Sequence, residues 1–135
     1  MSYKEPKIWR MASNLPVDIH RMTMTALPQH EMYEEGSQVR RAINSVRSNI
    51  VEGHGRRTYK SDFIRFVVLA HAACDETNDH SEILRETGSL TDDQLFSEVS
   101  LRIEKLSKAL GAFLTAIERQ HRSARETASI YPSDY

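Results

Sequence analysis

A single cysteine, Cys74, stands among the 135 residues, so no disulfide can form within the chain. A reducing, cytoplasmic compartment is the expected setting. Aromatic residues are scarce at 7%, and there are only five glycines and four prolines, a balance that suits helices better than a sandwich or barrel. The longest apolar run, Phe66 to Ala70, falls far short of the roughly 20 residues a membrane-spanning helix requires, so no membrane role is expected. The opening residues, MSYKEPKIWRM, lack the apolar stretch of a secretory leader. Neither sign of charge dominates: the formal net charge is −1, which excludes a surface uniformly coated for nucleic acid or anionic lipid.

What the sequence does have is helical periodicity. Val39, Ile43, Val46 and Ile50 fall in alternating steps of four and three; Phe63, Phe66, Val67, Ala70 and Cys74 resume the spacing after Gly53-His54-Gly55. The glycines predict a break there, joining a second and a third helix into an antiparallel hairpin. A first helix is expected from about Pro6 to Ala26, kinked at Pro16 or starting near it, and ended by Leu27-Pro28. Ser37 is the expected N-cap of the second helix, and Gly88 the stop of the third. Thr91-Asp92-Asp93-Gln94 fits a capping box opening the fourth, whose seam is Phe96, Val99, Ile103, Leu106, Leu110, Phe113 and Ile117. The expected fold is all-α, an up-down-up-down four-helix bundle over residues 1–125, with a loose tail at 126–135. Val46, Ile50, Phe66, Ala70, Leu106, Leu110 and Phe113 should be buried together.

The chemistry-bearing residues resist an enzymatic reading. His71, Asp75, Glu76, Asp79, His80 and Glu82 crowd one helix, but a di-metal bundle site needs matching carboxylates on all four helices. No metal and no cofactor is expected. Cys74, beside Asp75 and Glu76 on an apolar stripe, should be a buried, unreactive thiol. Gly53-His54-Gly55 is too short to cradle a phosphate, and no strand precedes it.

The run Gln38-Val39-Arg40-Arg41-Ala42, then Ser45, Asn49-Ile50-Val51-Glu52-Gly53, Gly55-Arg56, Phe63-Ile64-Arg65-Phe66, Ala70 and Glu76 resembles the 23S rRNA intervening-sequence protein family, also called the four-helix bundle protein family. Trp9, Ala12, Gly88 and Leu90 extend the resemblance over about residues 3 to 117. It implies a bacterial, cytosolic bundle that assembles as a ring-shaped homopentamer, and little about activity. Some members of the family are encoded inside inserts in ribosomal RNA genes, and a related accessory protein of diversity-generating retroelements binds nucleic acid. The chain departs from the pattern at Thr77 and Ser81, where larger apolar residues are usual.

Folding the hairpin about residue 58 brings position 40 opposite 76 or so. Arg40, Arg41, Glu76 and Asp79 are therefore expected to form a structural interhelical ion pair that fixes register. The same topology sorts the other charges to two ends. Lys7 and Arg10, the turn residues Arg56, Arg57 and Lys60, and Arg119, Arg122 and Arg125 gather at one; Glu31, Glu34, Glu35, Glu82, Glu86, Asp92, Asp93 and Glu98 gather at the other. Helix dipoles account for part of this, but not for the basic turn. The expectation is a non-enzymatic homo-oligomer whose basic end holds RNA or DNA backbone through Arg56, Arg57, Lys60, Arg119 and Arg122. The alternative is a protein-interaction scaffold with no nucleic-acid role.

Overall fold

The computed structural model describes residues 7–130, with side chains to residue 127. Four long helices and one short one account for nearly all of it: α1 (Lys7–Thr25), α2 (Gln29–Met32), α3 (Glu35–Gly55), α4 (Lys60–Glu86) and α5 (Asp93–Ile130). There is no strand among the described residues.

The ends of these helices show which local signals prevailed. α1 does not begin at Pro16; it runs through it, and the proline ring is buried. Leu27-Pro28 breaks the chain as expected, and the single turn α2 follows. α3 then starts two residues before Ser37, which lies inside it. Its cap comes from outside: the Glu35 N–H donates to the Glu31 carboxylate at 3.1 Å. Gly36 permits this corner, because a Cβ there would stand 2.9 Å from the Glu31 carbonyl oxygen. Gly53 and Gly55 also remain helical, and the break falls later, in residues 56–59. Gly53 serves packing instead, since a Cβ on it would meet Phe66 Cβ at 3.1 Å. Gly88 does end a helix, with φ +79°. Beyond it the Leu90 N–H donates to the Leu84 carbonyl at 2.9 Å. The cap of α5 is Asp92, not Thr91: its Oδ1 accepts from the Leu95 N–H at 3.0 Å, the anion sitting at the positive end of the helix. Past Arg125 the helix continues to Ile130, because no glycine or proline interrupts it between Gly111 and Pro132. Of the expected tail, residues 131–135 lie outside the described residues.

Neighbouring helices run antiparallel, as an up-down-up-down bundle requires. Arg40 of α3 reaches Thr23 of α1 at 2.7 Å, while Arg47, further along α3, lies over the Trp9 ring near the start of α1. His80 of α4 meets Glu35 of α3, and Phe66 packs on Gly53. His71 meets Ser107 at 3.3 Å, and the Phe63 and Phe113 rings lie 5.7 Å apart. Arg102 of α5 holds Asp18 of α1 at 2.6 Å. The α3–α4 contact is the most extensive of the four and α1–α5 the thinnest.

Leu15, Ile19, Ile43, Val46, Ala70, Cys74, Leu84, Ile103, Leu106 and Leu110 are fully buried between them. Of the seven expected core residues, Ile50 and Phe66 are only half-buried, and Phe113 is 36% exposed. Ile50 and Phe113 line an apolar cavity of about 230 Å³ at the basic end, with Trp9 and Phe63, while the Phe66 ring lies beside the Arg56 and Arg65 guanidiniums, 4.9 and 4.7 Å from its centre. Thr77 and Ser81 are buried despite their hydroxyls. Thr77 Oγ1 donates to the Ala73 carbonyl at 2.7 Å, whereas Ser81 Oγ has no partner.

Candidate nucleic-acid interface

The basic turn is more engaged within the chain than its sequence suggests. Arg56 pairs with Glu52 one helical turn back, and its guanidinium also lies 4.9 Å from the centre of the Phe66 ring. The Arg57 guanidinium donates to the His54 carbonyl at 2.9 Å, an oxygen at the C-terminal end of α3 that also accepts from the Arg57 backbone N–H at 3.2 Å. Burial, and then the charge of Arg57, hold the His54 imidazole below its ordinary pKa. Lys60 lies 5.9 Å from the Phe63 ring centre. These are short, local contacts, and Arg57 and Lys60 remain exposed. Of the three cations expected at the basic turn, Lys60 belongs to α4, and the charge of Arg56 is already matched by Glu52.

Arg119 and Arg122 are placed differently. Ile117 is the last buried residue of α5 among the described side chains, and the helix goes on for more than three further turns. Arg119 and Arg122 are exposed on that extension and enter no ion pair among the described residues. Glu118, His121, Arg122 and Arg125 border Ile64 near the start of α4, so the extension and the turn before α4 share one end of the bundle.

The expected ion pair of Arg40 and Arg41 with Glu76 and Asp79 does not form. Arg40 turns the other way, donating to Thr23 Oγ1 at 2.7 Å and to the Met32 carbonyl at 2.9 Å, which ties α1, α2 and α3 into one corner. Arg41, Glu76 and Asp79 are exposed. The hairpin register itself is as expected, since Glu35 faces His80. The pair that crosses it simply stands one and a half turns nearer the acidic end.

Three further cations, Arg102, Lys105 and Lys108, were not read from the sequence, and two that were, Lys7 and Arg10, stand opposite them. Lys7 and Arg10 of α1 face Arg102, Lys105 and Lys108 of α5 across a groove of about 640 Å³. Counting charge by helix ends conceals these residues, because three of them lie in mid-helix. On α5, positions 105, 108, 119 and 122 share one side of the helix.

Elsewhere the chemistry is quiet. Cys74 is fully buried, and burial, with the negative charge of Asp75, pushes its thiol pKa up to about 12. No group of three or more potential metal ligands occurs among the described residues, and no described helix is long and apolar enough to cross a membrane.

Comparison with known proteins agrees with this architecture. A crystal structure at 1.70 Å resolution of a protein with unknown function from the S23 ribosomal protein family, from Bacteroides thetaiotaomicron VPI-5482, superposes with a TM-score of 0.72. The match covers 80% of this chain and 95% of that one at 19% identity, a likeness of fold alone. No curated protein matches the chain. The family model described as 23S rRNA-intervening sequence protein matches residues 4–112, a span that takes in the hairpin motif, the Arg40 corner and the Gly88 turn. The chain belongs to the 23S rRNA-intervening sequence protein family.

Proposed function

We propose that this protein is a non-enzymatic, cytoplasmic homo-oligomer that holds nucleic-acid backbone at its basic end. The observation that carries the reading is the α5 extension, which lifts Arg119 and Arg122 beyond Ile117, exposed and without an ion pair among the described residues. Arg57 and Lys60 add charge at the same end, and Arg56 contributes least because Glu52 neutralises it. Phosphate contacts of this kind release condensed counterions and carry no sequence information. A homopentameric ring, as the family resemblance implies, would multiply the basic end into one face. A measured mass near the monomer's 15.5 kDa at working concentration would end the oligomeric part of the reading.

The test is fluorescence anisotropy with labelled RNA and DNA oligonucleotides across a salt series. Replacing Arg119 and Arg122 by alanine should weaken RNA and DNA alike, and lower the salt slope by about 0.7 to 0.9 per lost contact. Wild-type protein that binds neither at about 50 mM salt, where such contacts are strongest, refutes the reading. The scaffold alternative is favoured by Val68 and Leu69, each 43% exposed on α4. Docking through them would be insensitive to salt.

A further inference from the structure

We propose that the groove between α1 and α5 is the track for a single nucleic-acid strand, its phosphates running from the α5 extension down between the two helices. The proposal rests on the nucleic-acid reading above but assigns a different surface. Lys7 and Arg10 form one wall, one helical turn apart, and Lys105 and Lys108 form the other at the same interval. Arg102 closes the far end, held there by Asp18 at 2.6 Å. Lys7, Arg10 and Lys105 are exposed and enter no ion pair among the described residues. Lys108 meets Glu104 at 3.0 Å, but both are largely exposed, and such a contact contributes little.

The groove is continuous with the basic end. At about 100° per residue, Lys105, Lys108, Arg119 and Arg122 fall within roughly a third of the circumference of α5. They span about 25 Å along its axis. Ala112 and Thr115 lie between them on that side, small and uncharged. A strand laid along this stripe meets cations on α5 at both ends of its path, with the uncharged Ala112 and Thr115 between, and on α1 along the lower part.

The shape of the groove selects the form of nucleic acid. Packed helix axes stand about 8–10 Å apart, so the furrow between them admits one sugar–phosphate backbone and not the full width of a duplex. Among the described residues no aromatic side chain lines it, only Met11, Asn14 and Ala109 beside the cations, and none of these is a stacking platform for a base. Bases would face solvent, and binding would be indifferent to sequence.

The experiment compares a labelled 20-nucleotide oligo-dT with its duplex form, using wild-type protein, Lys105→Glu/Lys108→Glu and Arg119→Ala/Arg122→Ala. The single strand should bind tighter than the duplex, and reversing the two lysines should weaken it about tenfold or more at moderate salt. Circular dichroism should show an unchanged helical fold; Lys105→Gln/Lys108→Gln replaces the reversal if it does not, with a smaller loss in the same direction. If the lysine variants bind like wild type while the arginine variant is weakened, the groove is not the track, and the basic-end reading stands. Tighter binding of the duplex also overturns the groove. If no protein binds either oligonucleotide, both readings fail. A change of oligomer mass in the lysine variants makes the groove a contact between copies and overturns its assignment.

Discussion

The two ends of the bundle carry opposite charge, and they use it in opposite ways. At the acidic end the charged groups fasten the fold. Glu31 accepts from Ser89 at 2.7 Å and from the Glu35 N–H, joining the start of α3 to the turn between α4 and α5. Glu35 pairs with His80, Arg85 with Asp93, and Asp92 caps α5. At the basic end Arg119 and Arg122 stand on the stretch of helix beyond Ile117, and the core beneath opens into an apolar cavity. Charge that is matched by a partner within the chain closes a structure, whereas charge left to solvent is available to a ligand. The same composition thus gives one end that holds the fold and one that presents a surface.

The largest effect that could break this contrast is on stability. Leu84 is fully buried near the acidic end, so Leu84→Ala should cost about 3 kcal/mol or more. Phe113, a larger side chain at the basic end, is 36% exposed beside the cavity, and Phe113→Ala should cost only about 1 kcal/mol. Urea unfolding of the two variants decides it. Equal losses would mean the basic end is packed as firmly as the other.

Arg40 sharpens the comparison by a smaller margin. Removing its guanidinium leaves the buried Thr23 hydroxyl without that donor and the Met32 carbonyl without a partner, so Arg40→Ala should cost about 2 kcal/mol. Arg41, exposed and outside any ion pair among the described residues, should tolerate alanine within about 0.5 kcal/mol. Matching losses in thermal unfolding would restore the interhelical ion-pair reading of both arginines.

These two arginines also show how far the sequence could be read. The helices, their antiparallel order and the hairpin register followed from apolar spacing, which reports directly on burial. The direction in which Arg40 turns did not, because it depends on a carbonyl released by the single turn α2, an element too short to leave a periodic signal. The cap of α5 was misplaced by one residue because two capping side chains, Thr91 and Asp92, stand side by side. Of the candidate interface, Arg119 and Arg122 were legible as an end cluster. The neutralisation of Arg56 is visible in retrospect from Glu52 four residues earlier. The α1–α5 groove needed both helices in place, since neither wall is distinctive alone.

The smallest expected effect tests whether the acidic end is fastened by charge. The Ser89 hydroxyl, and then the Glu35 N–H, stabilise the Glu31 carboxylate and hold its pKa below the ordinary 4.5. Between the folded pKa and 4.5 the unfolded chain binds more protons than the folded one, so stability falls as pH falls through that window. Above 4.5 the contribution is complete. Ser89→Ala removes the larger cause, so the Glu31 pKa should move up towards 4.5 in a carboxyl NMR titration. Wild type and variant should differ in stability at neutral pH, and the difference should shrink as the solution is acidified below the folded pKa of wild-type Glu31. Glu31 is partly exposed, so solvent screening keeps the difference small. A gap that persists unchanged at low pH would show that Ser89 acts by packing rather than through the carboxylate, and the acidic end would then be held together by shape and not by charge.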